Sequence, residues 1–146
     1  MNRETILIVE DDEELTELLK IRIEAAGYRV VTSNGNDEPY EVIKQAQPGL
    51  VILDVFLPDM DGLTILKRLK SPIDVETGKP ALTKDIPVIV ITGKAPMIEN
   101  MTRLEGAADF FVKPVAVERL VRRVHELLET SKHDRKTKSQ SDSSHR

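Results

Sequence analysis

Residues 50–54 have the sequence Leu-Val-Ile-Leu-Asp, a short apolar run that ends in a carboxylate. A run of this length, rich in branched aliphatic residues and followed by a helical pattern, predicts a buried strand of a parallel sheet. Three further short apolar runs are also followed by helical patterns, at residues 5–9, 87–91 and 109–112, and Tyr28 to Thr32 is the remaining predicted strand. The chain therefore alternates five predicted strands with five predicted helices.

This alternation predicts an α/β fold with a doubly wound, five-stranded parallel sheet and helices on both faces. The flavodoxin-like strand order 2-1-3-4-5 is the common solution for five strands. It places the first strand beside the third, so that residues following these two strands become neighbours. Residues 1–130 make up the predicted domain.

Polar side chains follow four of the predicted strands, and they are Glu10, Asp11, Asp54, Thr92 and Lys113. In an open α/β sheet, ligands bind beyond the carboxyl ends of the strands, so these groups converge on one edge. The carboxylates attract a divalent cation, whereas the amine and the hydroxyl suit anionic oxygens. The pattern therefore predicts a site for a metal ion and a phosphoryl group.

The amino-acid composition excludes several kinds of protein and of functional site. A chain of 146 residues fits one domain, and the absence of cysteine excludes disulfides, thiolate chemistry and cysteine-ligated metals. The net charge of −4 argues against nucleic-acid binding by the whole chain. No apolar run approaches the roughly 20 residues of a membrane span, and none resembles a signal peptide, so we expect a cytoplasmic protein.

Two segments lie outside the alternating pattern. Residues 71–85 separate the third helix from the fourth strand by more than the usual connection, and we predict an insertion at the edge opposite the site. Residues 131–146 contain five basic and two acidic residues, a net charge of +3, and no aliphatic residue. This composition predicts a disordered basic tail, for which a solubilising or linker role is favoured over contact with nucleic acid.

Four motifs together resemble the receiver domain of two-component response regulators. They are Ile6 to Asp11 (ILIVED), Asp54 to Gly62 (DVFLPDMDG), Thr92-Gly93, and Gly106 to Pro114 (GAADFFVKP). Each motif alone is weakly specific, but their order at successive strand ends is strongly specific. The resemblance covers about residues 4–129.

The resemblance implies a role for each residue of the site. Asp54 is the expected phosphoacceptor, and Mg²⁺ is the expected cofactor. The implied Mg²⁺ ligands are Asp11, Asp54 and the backbone carbonyl of Phe56, with Glu10 acting through water. Thr92 and Lys113 are the implied phosphoryl-oxygen ligands. Thr92 and Phe110 are the implied switch pair, although Phe110 also fits a plain core residue.

The implied function is a signalling switch, without enzymatic activity beyond self-phosphorylation and autodephosphorylation. Its phosphodonor would be a sensor histidine kinase or a histidine phosphotransfer protein. A downstream protein would bind the face formed by the fourth helix, the fifth strand and the fifth helix. We expect no membrane partner and no direct contact with nucleic acid.

Other functions remain open at this point. A haloacid-dehalogenase-like phosphatase would need an acid two residues after its nucleophile, where this chain has Phe56. A phosphorylation-independent pseudo-receiver would be expected to lack a site residue. The chain also fits either a stand-alone receiver, which we favour, or a fragment of a larger regulator. Asp12, Asp59 and Asp61 are predicted to cap helices or form turns, and Gly62 to allow a backbone geometry.

Overall fold

The computed structural model describes residues 4–57, 60–93 and 97–144. The strands are β1 (Thr5–Val9), β2 (Arg29–Ser33), β3 (Leu50–Asp54), β4 (Phe56–Leu57), β5 (Met60–Asp61), β6 (Val88–Thr92) and β7 (Asp109–Val112). The helices are α1 (Glu13–Ala25), α2 (Pro39–Ala46), α3 (Gly62–Lys70), α4 (Met97–Leu104) and α5 (Val117–Ser144), with a short 3₁₀ helix at Leu82–Asp85.

Five of the strands form one parallel sheet in the order β2-β1-β3-β6-β7. This is the predicted order 2-1-3-4-5, because β4 and β5 pair only with each other. The predicted doubly wound α/β fold is therefore confirmed. It places β3 at the centre of the sheet, with β1 on one side and β6 on the other.

The sheet separates two apolar layers, because successive side chains of a strand point to opposite faces. One layer joins alternate strand residues to α2 and α3 and includes Leu7, Leu53, Val90, Tyr40, Ile43, Leu66 and Leu69. The other joins the intervening residues to α1 and α5 and includes Ile8, Ile52, Ile91, Leu19, Ile23, Leu120, Val124 and Leu128. Helices therefore cover both faces, as predicted.

Two strands are displaced by one residue from their predicted ranges. The second strand ends at Ser33 instead of Thr32, and the fourth runs from Val88 to Thr92 instead of from Pro87. Proline has no N–H to donate to a neighbouring strand. The carbonyl of Pro87 still accepts a hydrogen bond from Val51 N (3.0 Å), so it contacts the sheet without forming a full ladder position.

Local chemistry near α2 and α3 differs from the prediction in two places. The sequence predicts Asn36 or Asp37 as the cap of the second helix, with Pro39 in its first turn. In the structure Glu38 is the cap, because Pro39 is the first helical residue and the Glu38 carboxylate accepts from Glu41 N (2.7 Å). The sequence also predicts a loop from Val55 to Asp61 before the third helix, but this segment contains the β4-β5 pair of short strands.

Helix α5 continues to Ser144, whereas the sequence predicts its end near Glu129 and a disordered tail beyond it. The prediction was based on the lack of aliphatic residues that could pack. Extending an existing helix needs no such packing, because each added residue forms a backbone hydrogen bond without a new nucleation step.

The insertion, residues 71–85, is an ordered element in the structure. It contains an antiparallel bridge between Ile73 and Pro80, followed by the 3₁₀ helix. It joins the end of α3 to the start of β6, at the amino ends of the strands. In the part of the chain that the structure describes, no helix combines the length and apolar character needed to cross a membrane.

Candidate metal and phosphoryl site

Three carboxylates lie together where the two central strands end. Glu10 and Asp11 follow β1, and Asp54 is the last residue of β3, which pairs with β1 through Val9 and Leu53. One carboxylate oxygen from each lies within 4.8 Å of the others. Glu10 and Asp54 are each 2% exposed, whereas Asp11 is open to solvent. The cluster therefore has a buried floor and one exposed side.

Lys113 supplies the positive charge at this edge. Its Nζ lies 2.8 Å from Asp54 Oδ2 and also forms an ion pair with Glu10. The backbone positions it, because Lys113 N donates to the carbonyl of Thr92 at the end of the neighbouring strand (2.8 Å). The peptide bond to Pro114 is cis, an isomer that the sequence alone does not determine. Sequence and structure thus place one ammonium against two carboxylates.

The negative charge of the buried carboxylates exceeds the positive charge that Lys113 provides beside them. Burial raises the pKa of Glu10 to about 7, the neighbouring Asp54 carboxyl adds to this rise, and Lys113 opposes it. Burial lowers the pKa of Lys113, but hydrogen bonds to Asp54 and Glu10 outweigh this effect and leave it raised. One ammonium therefore serves two buried acids, and a divalent cation would favour their charged forms.

The donor set fits Mg²⁺. Magnesium prefers oxygen ligands, is usually bound by one or two protein carboxylates, and keeps several of its waters. The cluster offers two buried carboxylates and one on the solvent side, which leaves room for those waters.

Thr92 and Phe56 lie at the same edge, whereas Phe110 is the second residue of β7 and pairs with Val90, two residues before the end of β6. Thr92 is fully buried at the end of β6, one residue beyond the partner of Asp54. The N–H of Phe56 donates to Asp54 Oδ1 (2.8 Å), which helps to fix the carboxylate. The Phe56 carbonyl as a metal ligand stays a prediction. Phe110 is 8% exposed and belongs to a core layer, so the ring already lies inward in this conformation.

Asp12 and Asp61, which the sequence predicts to cap helices or form turns, are helix caps in the structure. Asp12 caps α1 by accepting from Leu15 N (3.1 Å). Asp61 caps α3 by accepting from Leu63 N (3.1 Å) and Thr64 N (3.3 Å). The turn predicted for Asp59 lies outside the described residues.

A cleft beside the carboxylates was not predicted. It has a volume of about 290 Å³ and lies between the start of α1 and the end of β2. Its lining adds Glu13, Thr16, Glu17, Thr32, Ser33 and Asn34 to Glu10 and Asp11. The sequence contained one signal for it, because the second strand also ends at the ligand-binding edge and is followed there by Ser33 and Asn34.

The chain matches the family model of the response regulator receiver domain over residues 6–125. It is 34% identical over 125 residues to the phosphate regulon transcriptional regulatory protein PhoB of Pseudomonas aeruginosa, covering 85% of this chain and 51% of PhoB. The chain spans about half the length of the curated relatives it matches.

Solved structures agree with this match. A receiver domain protein of Methanospirillum hungatei superposes with a TM-score of 0.76 at 26% identity, covering 91% of this chain and 99% of that one. The BeF₃-activated N-terminal receiver domain of RstA from Klebsiella pneumoniae gives a TM-score of 0.69 at 27% identity, covering 85% and 97%.

The chain belongs to the response regulator receiver domain family. Receiver domains interact with histidine kinases and bind Mg²⁺ at an acidic cluster, which in this chain is formed by Glu10, Asp11 and Asp54.

Proposed function

We propose that the Asp54 carboxylate accepts a phosphoryl group from the phosphohistidine of a sensor histidine kinase or a histidine phosphotransfer protein. An Asp54 oxygen bonds to phosphorus, the nitrogen–phosphorus bond breaks, and the imidazole leaves. The observation that carries the proposal is the Asp54 carboxylate itself, buried beside two other acids with Lys113 Nζ 2.8 Å away.

The residues around Asp54 position it and neutralise charge, which is most of what phosphoryl transfer requires of a protein. The Phe56 N–H and the Lys113 ammonium each hold one oxygen of Asp54. Lys113 and Thr92 would bind phosphoryl oxygens. Mg²⁺, held by Asp11, Asp54 and the Phe56 carbonyl, with Glu10 acting through water, would neutralise charge on the transferring group.

The proposed activity is limited to self-phosphorylation and autodephosphorylation. A phosphatase of the haloacid-dehalogenase type would need an acid at Phe56, whose ring cannot transfer a proton. A pseudo-receiver is disfavoured because every implied site residue is present and four of them lie in contact or within one cluster.

Two exposed apolar surfaces suit the proposed partners. Near the acidic cleft, α1 exposes Leu18 (47%) and Ile21 (54%), which fits contact with a phosphodonor protein. The face of α4, β7 and α5 exposes Met101 and Leu104, which fits a downstream protein. We place the protein in the cytoplasm, as the family implies. If the chain is part of a longer transcriptional regulator, DNA binding would belong to the remainder of that protein, and this acidic domain would not contact DNA directly.

The proposed switch couples Thr92 to Phe110. A phosphoryl oxygen that draws the Thr92 hydroxyl toward Asp54 would favour the buried position of the Phe110 ring. The ring is already buried in this structure, so phosphorylation would act by depopulating an exposed ring position. Burial of an aromatic ring contributes about 1.5–3 kcal/mol, which limits that shift to about ten- to a hundredfold. Thr92→Ala should then permit phosphorylation but reduce the NMR shift changes that beryllofluoride causes in α4 and β7. Identical shift changes in both proteins would contradict the coupling.

The test of the phosphoacceptor uses acetyl phosphate and Mg²⁺ with intact-mass detection. Wild type should gain a hydroxylamine-labile phosphoryl group, and Asp54→Asn should gain none. Asp61→Asn is the matched control, because the same chemical change at the α3 cap leaves an amide oxygen that can still accept from the helix. An equal adduct on Asp54→Asn would refute the assignment.

A further inference from the structure

A second cavity lies at the sheet edge opposite Asp54. It has a volume of about 630 Å³ and is formed between α2 and the insertion. Its apolar lining comes from Tyr40, Ile43, Pro48, Pro80, Leu82 and Ile86. Small-molecule sites in proteins are concave, have volumes of about 300–1,000 Å³, and combine apolar walls with a few polar groups. The size and lining of this cavity fall within that description.

The insertion is fixed at one end of the cavity by a bridging carboxylate. Glu76 Oε2 lies 2.9 Å from Lys44 Nζ on α2, and Glu76 Oε1 lies 2.7 Å from Arg68 on α3. The Arg68 guanidinium also stacks 3.8 Å from the centre of the Tyr40 ring. One residue of the insertion is thus tied to both neighbouring helices.

The other end of the insertion is anchored to α3. Thr83 Oγ1 donates to the carbonyl of Leu69 (3.0 Å), and Lys70 Nζ donates to the carbonyls of Lys84 (3.1 Å) and Ile86. With both ends anchored, the insertion is held over α2 without filling the space beneath it. The cavity is therefore a built feature of the fold.

Most of the polar side chains that line the cavity are cations or can donate a hydrogen bond. Lys44 is already paired with Glu41 and Glu76, whereas Lys79 has no ion pair within residues 4–57, 60–93 and 97–144. The hydroxyl of Thr77 and the amide of Gln47 add two further donors. The acid in the lining is Asp74, and its Oδ1 accepts from Glu76 N (2.9 Å) within the turn.

We propose that this cavity binds a small apolar organic anion, with its hydrocarbon or aromatic part against Pro80, Leu82 and Ile86 and its acidic group against Lys79. Tyr40 and Ile43, each 1% exposed, form the buried floor beneath it. The site lies outside the phosphoryl chemistry, because the cavity is at the amino ends of the strands. It lies near the start of β6, however, since Ile86 in its wall is two residues before Val88, the first residue of the strand that ends at Thr92.

The test uses two fluorescent probes of similar size, one anionic and one uncharged, which should respond differently to a change of charge in the cavity. Anilinonaphthalene sulfonate is an aromatic anion, and N-phenyl-1-naphthylamine is its uncharged counterpart. We expect saturable binding of the anion to the full-length chain, with amide NMR shifts at α2 and residues 71–86. Lys79→Glu should weaken the anion about tenfold, because reversing a nearby charge replaces attraction by repulsion. It should change binding of the uncharged probe less than about twofold, our own tolerance.

Two control variants separate the cavity from the general surface. Lys84→Glu makes the same charge change in the insertion at a residue outside the cavity lining, and it should leave anion binding within about twofold, our own tolerance. Leu82→Glu, at the cavity, should weaken both probes, whereas Leu104→Glu on α4 should weaken neither. These two leucines are 92% and 86% exposed, so both variants should fold.

Three outcomes would overturn the proposal. The first is non-saturable binding of the anion, and the second is NMR shifts confined to α1 or α4. The third is an equal effect of Lys79→Glu and Lys84→Glu, which would mean that the protein's general field, and not a site, attracts the probe.

Discussion

The sharpest test of the local fold around Asp54 is a single methyl group added at Gly62. A Cβ at this position would lie 2.3 Å from the Cα of Val55 and 2.9 Å from its carbonyl carbon and oxygen. All three atoms are backbone, so no side chain can rotate away. Overpacking costs about 1–3 kcal/mol, and we expect the upper end here. Alanine is favoured over glycine in a helix by about 0.5–1 kcal/mol, which leaves a net loss of about 2 kcal/mol in the free energy of unfolding.

Urea denaturation of Gly62→Ala measures this loss. With a dependence of about 1–3 kcal/mol per molar urea, the midpoint should fall by about 1 M. Gly93→Ala is the control for adding a methyl group, because a Cβ there meets no atom of the described residues within 4 Å. Its free energy of unfolding should change by less than about 0.5 kcal/mol. Phosphorylation by acetyl phosphate should also slow in Gly62→Ala, because Val55 connects Asp54 to the Phe56 N–H that holds it. A midpoint equal to or above that of wild type would refute the close-approach argument.

Three further expectations concern the metal, an anchoring lysine and the insertion. Asp11→Ala should stay folded but lose metal-dependent phosphorylation, and an unchanged Mg²⁺ titration by NMR would contradict its ligand role. Lys70→Met should lower the free energy of unfolding by about 1–2 kcal/mol, because two carbonyls lose their donor, whereas Lys67→Met, at a lysine 61% exposed, should change it by less than about 0.5 kcal/mol. Replacing residues 71–85 by a four-residue turn should leave the autodephosphorylation rate within about twofold, our own tolerance, and a tenfold change would show that the two sheet edges are coupled.

The parallel sheet was predictable from the sequence because four of its strands are short apolar runs with a polar residue at or after their ends, whereas the edge strand β2 is largely exposed and polar. The first, third and fifth strands agree with their predicted ranges in full, at Thr5–Val9, Leu50–Asp54 and Asp109–Val112. The site followed from the same pattern, because the carboxyl ends of parallel strands share one edge. Glu10, Asp11, Asp54 and Lys113 are together for this reason, although 43 to 59 positions separate Asp54 from the others.

The features that were missed depend on interactions that periodicity does not encode. Glu38 caps α2 because its longer side chain reaches Glu41 N, a geometry that cap preferences rank below Asn and Asp. The β4-β5 hairpin consists of only two residue pairs, too short for an alternating pattern to be visible. The insertion lacks any repeat, and its order comes from individual bonds such as the one between Thr83 and the Leu69 carbonyl.

The architecture explains why an insertion and a phosphoryl site can occupy the same small domain. A five-residue strand spans about 16 Å, so the amino and carboxyl ends of β6 lie about that far apart, at opposite edges of the sheet. At one end, Thr92 and its neighbours must keep fixed positions, because phosphoryl transfer depends on positioned charges. At the other end, the chain has only to leave α3 and enter β6, and any segment that satisfies its own hydrogen bonds can do so. The residues between these ends, Ile89 to Ile91, are fully buried in the two core layers. Two packed elements, β6 and α3, connect the insertion to the edge that holds Asp54. A displacement of β6 caused by binding at the insertion would change the amide shifts of the residues on β3 and β7 that pair with it.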